Sequence, residues 1–89
     1  MPEEFDAQDG LTPSELAASR DPFAYCRPSE GRRIALQALR GEFKLLRDYI
    51  NETVANCRFR ALALTELEAA CHWAIKACVF TDPDATIEE

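Results

Sequence analysis

Two long apolar repeats separated by a short bend constrain the fold of this chain more than any other sequence feature. In each repeat the apolar residues recur in alternating steps of three and four, the spacing of one helix face. The first repeat contains Leu36, Leu39, Phe43, Leu46, Ile50 and Cys57, with Thr53 completing the spacing between the last two. The second contains Leu64, Leu67, Cys71, Ala74 and Cys78. With a bend at 56–60, the two stripes predict an antiparallel α-hairpin with helices over about 30–56 and 59–80.

Signals at the ends of these helices divide the chain into three segments. Ser29 is the expected N-cap of the first long helix, because a serine side chain accepts a hydrogen bond from the first turn. Thr81-Asp82-Pro83 ends the second helix, because helices rarely continue into a proline. We therefore divide the chain into an N-terminal arm at 1–29, an α-hairpin domain at 30–80 and an acidic C-terminal tail at 81–89.

The N-terminal arm has weaker signals. Thr12-Pro13-Ser14-Glu15 combines an N-cap, a proline at the first helical position and a capping-box glutamate, which predicts a short helix. A new segment begins at Pro22, and its residues Phe23-Ala24-Tyr25-Cys26-Arg27 are interpreted as one helical turn. The predicted fold class is therefore all-α: an antiparallel two-helix hairpin with a short irregular or helical N-terminal arm.

The apolar surface of the hairpin is wider than two helices can cover. Leu45, Tyr49 and Trp73 lie beside the seam and would remain exposed in a monomer. A chain of 89 residues buries only about 60–65% of its unfolded surface on its own. Since exposed apolar patches of this kind usually mark interfaces, we predict a homo-oligomer.

The net charge of −6 is unevenly distributed. Residues 1–19 carry −5 and residues 77–89 carry −4, whereas residues 20–76 carry +3. Acidic ends repel long polyanions, so we expect no DNA or RNA partner, but a basic middle can bind a compact anion. No apolar run approaches the roughly 18 residues of a membrane span, and the N-terminus is acidic, so we expect no membrane partner and no targeting peptide.

The cysteines and the single histidine do not form a catalytic or metal-binding pattern. No Cys-x-x-Cys occurs, and His72 follows Cys71 on a helix, where consecutive side chains point about 100° apart. Glu68 and His72 have a spacing that suits a divalent metal, but a single pair needs ligands from another chain. We interpret the thiols as small buried side chains in a reducing cytoplasm, and expect no catalytic residue, no metal and no cofactor.

A basic and aromatic cluster at the start of the first long helix is the strongest candidate for a binding site. Aromatic rings stack on nucleic-acid bases, guanidinium groups bind phosphates, and a helix N-terminus offers free N–H groups to an anion. The candidates are Phe23, Tyr25, Arg27, Arg32 and Arg33. The alternative interpretation is a solvated, arginine-rich helix start with a packed Phe and Tyr.

A second candidate cluster lies at the bend and consists of Arg58, Arg60 and Thr65. Arg60 and Thr65 diverge by about 140° on one helix, so a ligand that touches both is easier to build between chains than within one.

The second long helix resembles a family of phage helical-hairpin proteins, the anti-CBASS and anti-Thoeris sponges. The resemblance rests on Leu-Thr-x-Leu-Glu followed by Trp-Ala, a combination that helix periodicity alone does not produce. The matched positions are Arg58, Leu62, Ala63, Leu64, Thr65, Leu67, Glu68, Ala70, Trp73, Ala74 and Ala77. The sequence departs from the family pattern at three positions, where Ala61, Glu66 and Ile75 replace Ser, Lys and Asn.

The resemblance implies a homo-oligomer, commonly a hexamer, that captures cyclic nucleotide signals between its subunits without cleaving them. The expected ligands are cyclic dinucleotides, cyclic trinucleotides or cyclic ADP-ribose isomers, bound in the cytoplasm of an infected bacterial host. Of the candidate residues, only Arg58 and Thr65 match positions of the family motif.

Two alternatives belong to other functional classes. One is a metal-dependent helical nucleotide hydrolase, but Glu42, Asp48 and Glu52 are scattered rather than clustered as its metal cage requires. The other is a small helical adaptor for a protein partner, in which the arginines are merely solvated.

Overall fold

A helical hairpin dominates the structure, a computed structural model that describes residues 10–88. The acidic residues 1–9 of the arm and Glu89 of the tail lie outside the described residues. The elements follow in the order α1 (Pro13–Ser19), β1 (Tyr25–Arg27), α2 (Glu30–Thr53), α3 (Arg58–Phe80) and β2 (Thr86–Glu88). Helices α2 and α3 pack on each other along a molecule of 60 × 22 × 21 Å, which confirms the predicted hairpin.

The helix starts form as their sequences predict. In α1 the Thr12 hydroxyl accepts the Glu15 N–H at 3.1 Å, and the Glu15 carboxylate accepts the Thr12 N–H at 2.9 Å. This reciprocal pair is a capping box. The Ser29 hydroxyl accepts the Arg32 N–H at 3.3 Å and caps α2. Helix α2 ends at Thr53, three residues before the predicted end, because Val54 is already extended.

The predicted apolar seam lies between the two long helices. Leu36, Leu39, Phe43 and Ile50 of α2 are less exposed than their polar neighbours. On α3, Leu64, Leu67, Cys71, Ala74 and Cys78 are likewise partly buried. Leu46 and Cys57 of the predicted seam, nearer the bend, are exposed. No helix among the described residues is long and apolar enough to cross a membrane.

The segment around Cys26 is a β-strand, and the predicted helical turn is wrong. Strand β1 pairs antiparallel with β2 in a two-stranded sheet, with Cys26 opposite Ile87. The burial alternates along β1, since Cys26 faces the core while Tyr25 and Arg27 face outward. The pairing partner of β1 comes from the C-terminal tail, so local sequence signals do not reveal it.

The buried core lies at the end of the hairpin where the arm and the tail meet it. Cys26, Leu36 and Val79 are buried there. The side chains that pack against them are Ile75, Cys78, Phe80, Ala85 and Ile87. Elsewhere on the two long helices, Leu45 and Tyr49 are each 64% exposed and Trp73 is 69% exposed. The predicted exposure of these three side chains is confirmed.

Candidate functional site

A pocket of about 580 Å³ lies between the arm and the first half of α2. Its lining is rich in guanidinium groups and includes one aromatic ring. The lining residues are Tyr25, Arg27, Pro28, Glu30, Arg33, Leu36, Gln37 and Arg40. The volume falls within the range of about 300–1,000 Å³ that is typical of small-molecule sites. The pocket is therefore the main candidate site for a small ligand.

Strand β1 supplies one wall of this pocket. Tyr25 and Arg27 are two residues apart on a strand, so their side chains project from the same face of the sheet. The Arg27 guanidinium lies 5.9 Å from the centre of the Tyr25 ring, within the range of a cation–π contact. Arg27 also donates a hydrogen bond of 3.0 Å to the carboxylate of Glu88. The ring and the guanidinium are thus held side by side at the pocket.

Helix α2 supplies the opposite wall. Arg33, Gln37 and Arg40 follow the i, i+4, i+7 spacing and so share one helix face. Arg33 forms an ion pair of 3.1 Å with Glu30. Within residues 10–88, no hydrogen bond joins the Arg40 guanidinium to another side chain. Arg40 is therefore the pocket arginine with the least competition from the described residues for an incoming anion.

A buried carboxylate fixes the start of α2 beside this pocket. Asp82 is only 2% exposed, and it accepts the Ser29 N–H at 2.8 Å and the Asp84 N–H at 3.0 Å. Burial by itself would raise the pKa of Asp82. The two N–H groups, the Ser29 hydroxyl and the charge of Arg32 act in the opposite direction and together outweigh burial, so the pKa of Asp82 lies below its ordinary value. The ionised carboxylate thus joins the tail to the N-cap of α2.

Two of the arginines predicted to bind ligand cap helix ends instead. Arg32 donates to the carbonyl of Cys78 at 2.7 Å and to the hydroxyl of Thr81 at 3.3 Å, at the end of α3. Arg60 donates to the carbonyls of Asn51 and Val54 at 3.2 and 3.1 Å, at the end of α2. Since the last carbonyls of a helix lack partners within it, each arginine satisfies groups that would otherwise need water.

The remaining predicted site residues lie outside the pocket. Phe23 is 94% exposed in a turn in which the Asp21 carboxylate accepts the Phe23 N–H at 2.9 Å. Arg58 lies over the Phe59 ring at 5.8 Å, at the start of α3. Thr65 is exposed on α3. Of the eight predicted site residues, the structure brings together Tyr25, Arg27 and Arg33.

Sequence reasoning missed Gln37 and Arg40 as lining residues of the pocket. A signal was present, because both continue the helix face that begins at Arg33.

A second pocket, of about 400 Å³, runs along one side of the hairpin. Arg40 lines both pockets, and Lys44 and Arg47 extend the basic side of the second one. Its floor is apolar and contains Phe43, Leu64, Leu67 and Cys71. The basic face of α2 is therefore continuous from the first pocket into the second.

Cys71 lines the floor of the second pocket, whereas the other three thiols and His72 line neither pocket. Cys26 is buried, which raises the pKa of its thiol although the charge of Arg20 acts in the opposite direction. His72 and Glu68 form an exposed pair with 3.8 Å between Nε2 and Oε2. Among residues 10–88, no group of three or more His, Cys, Asp or Glu residues is arranged to hold a metal ion.

Comparison with known proteins identifies the hairpin. A family model described as the Acb2/Tad1 hairpin domain matches residues 22–78. The matched range includes β1, α2 and nearly all of α3, and leaves α1 and β2 outside. The match confirms the resemblance found in the sequence of α3. No curated protein and no solved structure matches the chain significantly.

Proposed function

This chain belongs to the Acb2/Tad1 hairpin-domain family, and from that membership we propose that it is a phage-encoded sponge for cyclic nucleotide signals. In this proposal it binds and sequesters cyclic dinucleotides, cyclic trinucleotides or cyclic ADP-ribose isomers without cleaving them. Capture in the cytoplasm of an infected bacterium lowers the free concentration of the signal, and the immune effector that depends on it stays inactive. The protein acts as a binder and not as an enzyme.

The pocket between β1 and α2 is the observation that carries this proposal. It places the Tyr25 ring beside Arg27 and opposite Arg33 and Arg40. An aromatic ring stacks on a base, and guanidinium groups make paired hydrogen bonds to phosphate oxygens. A ligand that has both a base and a phosphate close together therefore fits the two walls. A long nucleic acid fits less well, because the chain has a net charge of −6.

Self-association is the second part of the proposal, with a hexamer as the family-based expectation. Among residues 10–88, ten large apolar side chains are exposed in the single chain, and most of them lie on the two long helices. Burying one Leu or Trp contributes on the order of 2–3 kcal/mol, so an assembly that covers several of them is strongly favoured. Arg58 and Thr65, which lie outside the pocket of one chain, are candidate ligand contacts from a second subunit. Sedimentation at micromolar concentration should show an oligomer, and a folded monomer would contradict this part.

One depletion experiment tests the binding function. The protein is incubated with a panel of one cyclic dinucleotide, one cyclic trinucleotide and one cyclic ADP-ribose isomer, and free ligand is separated by filtration. The protein is then denatured, and the released ligand is analysed by mass spectrometry. Recovery of intact ligand supports a sponge. Altered ligand would show an enzyme such as the metal-dependent hydrolase, and no depletion would leave the adaptor as the better hypothesis.

Substitutions then test the pocket. Arg33→Ala should weaken binding of the captured ligand by about tenfold or more, since a hydrogen bond to a charged group contributes about 1.5–3 kcal/mol. Tyr25→Ala should weaken it by about fivefold or more, since ring stacking contributes about 1–3 kcal/mol. Arg58→Ala should weaken binding only if a neighbouring subunit completes the site. Unchanged affinity in Tyr25→Ala and Arg33→Ala proteins that keep their helical content would reject this pocket.

A further inference from the structure

The C-terminal strand brings an acidic side chain to the edge of the candidate pocket. Glu88 lies opposite Tyr25 in the sheet, so the two side chains share a face with Arg27. The carboxylate of Glu88 is 3.0 Å from the Arg27 guanidinium, and the two side chains are 50% and 60% exposed. Strand β2 lies outside residues 22–78, so this contact is an addition to the matched hairpin domain.

The pairing of charges shows what this contact does to the pocket. Arg27, Arg33 and Arg40 give the lining three positive charges. Glu30 is paired with Arg33 and Glu88 with Arg27, which leaves Arg40 as the lining arginine without a carboxylate contact among residues 10–88. An anion that makes a two-point contact through the Nη2 edge of Arg27 must therefore replace the carboxylate of Glu88 there.

We propose that Glu88 is an affinity-setting residue of the pocket, an intramolecular carboxylate that occupies Arg27 until an anionic ligand displaces it. The proposal rests on the proposed binding function for its physiological ligand, but its chemistry applies to any phosphate. Displacement is feasible because an exposed ion pair contributes little to stability, whereas a phosphate makes a charge-assisted, two-point contact with a guanidinium group. After displacement, Glu88 remains near the bound anion and repels it.

Two effects determine the size of the expected change. A unit charge about 6 Å from the ligand in a water-like dielectric changes the affinity about threefold for each charge on the ligand. Breaking an exposed ion pair adds a factor of about 1.5 to 5. Replacing Glu88 by a neutral side chain of the same shape should therefore tighten binding of a phosphate ligand by about fivefold or more.

The experiment uses inorganic pyrophosphate as the probe. It is titrated into the isotope-labelled full chain, and the side-chain Nε–Hε signals of Arg33 and Arg40 are followed by NMR. Glu88→Gln should lower the dissociation constant about fivefold or more relative to the unmodified protein. Glu52→Gln is the matched control, because it removes the same charge twelve residues beyond Arg40, about 18 Å along α2 and past the screening length at 0.1 M salt.

A double-substitution cycle separates competition at Arg27 from a general change in charge. In an Arg27→Gln background, the gain in pyrophosphate affinity from Glu88→Gln should be smaller by a factor of about 1.5 to 5 than in the unmodified background, because only the repulsion remains. Unchanged backbone signals at Ile87 in the Glu88→Gln protein show that β2 stays paired.

The proposal is overturned if Glu88→Gln leaves the affinity unchanged or weakens it, or if the gain is equal in both backgrounds. Failure of pyrophosphate to shift either signal in both proteins also overturns it. If the protein captures no cyclic nucleotide but the double-substitution cycle gives the expected pyrophosphate affinities, the proposed function is refuted and the role of Glu88 stands.

Discussion

The buried carboxylate of Asp82 makes a specific prediction about stability. Asp82→Ala removes the acceptor of two backbone N–H groups, those of Ser29 and Asp84, at 2.8 and 3.0 Å. It also removes the opposite charge that faces Arg32. The Ser29 N–H is partly buried, so water replaces the lost acceptor only in part. The N-cap of α2 and the attachment of the tail are weakened together.

The magnitude follows from the contacts. A hydrogen bond to a charged group contributes about 1.5–3 kcal/mol, and the Asp84 N–H regains water more easily than the Ser29 N–H. We therefore expect Asp82→Ala to lower the free energy of unfolding by about 3 kcal/mol, a large share of the roughly 4–13 kcal/mol typical of a chain of this length. The unfolding temperature should fall by about 15 °C.

Thermal unfolding followed by circular dichroism, at one fixed protein concentration, measures this effect. Asp84→Ala is the matched control, because the Asp84 side chain is exposed and its N–H remains in place to donate to Asp82. We expect the unfolding temperature of the Asp84→Ala protein to lie within about 2 °C of that of the unmodified protein. If Asp82→Ala itself melts that close to the unmodified protein, the carboxylate does not hold the tail and the N-cap together.

The pH dependence has a defined sign. The folded-state pKa of Asp82 is lowered, so its stabilising contribution is complete above the unfolded-state value near about 4 and is lost as the pH falls through the folded-state value. Asp82→Asn should therefore remove part of the acid-induced loss of stability below about pH 4. Urea titrations at several pH values measure the free energy of unfolding. If it falls as steeply below about pH 4 in the Asp82→Asn protein as in the unmodified protein, this assignment is contradicted.

Three further outcomes follow from the structure. Arg40→Ala should weaken binding of the captured ligand by about tenfold or more in equilibrium titration, with little change in unfolding temperature, because its guanidinium forms no ion pair with a carboxylate among residues 10–88. Arg32→Ala should lower the free energy of unfolding by about 1.5–3 kcal/mol in urea titrations, because the buried end of α3 loses its donor. In thiol labelling at neutral pH, exposed Cys57 should react first, and Cys26 should react only on unfolding, because burial raises the pKa of its thiol.

Part of the candidate site could be read from the sequence and part could not. The basic and aromatic composition around Tyr25, Arg27 and Arg33 pointed to an anion site, and all three line the pocket. The same composition also pointed to Arg32, whose guanidinium caps the end of α3. Composition does not separate these roles, because a helix C-terminus and a phosphate both offer oxygen acceptors to a guanidinium group.

The sequence by itself determined the local structure of this protein. The spacing of apolar residues fixed the two long helices and their seam, and Thr12 and Ser29 fixed two helix starts, because these effects act over one or two helical turns. Only the tertiary structure decided the strand at Tyr25–Arg27 and the contact between Arg27 and Glu88, which are 61 residues apart. A strand needs a partner for its hydrogen bonds, and the identity of a distant partner is set by how the whole chain packs.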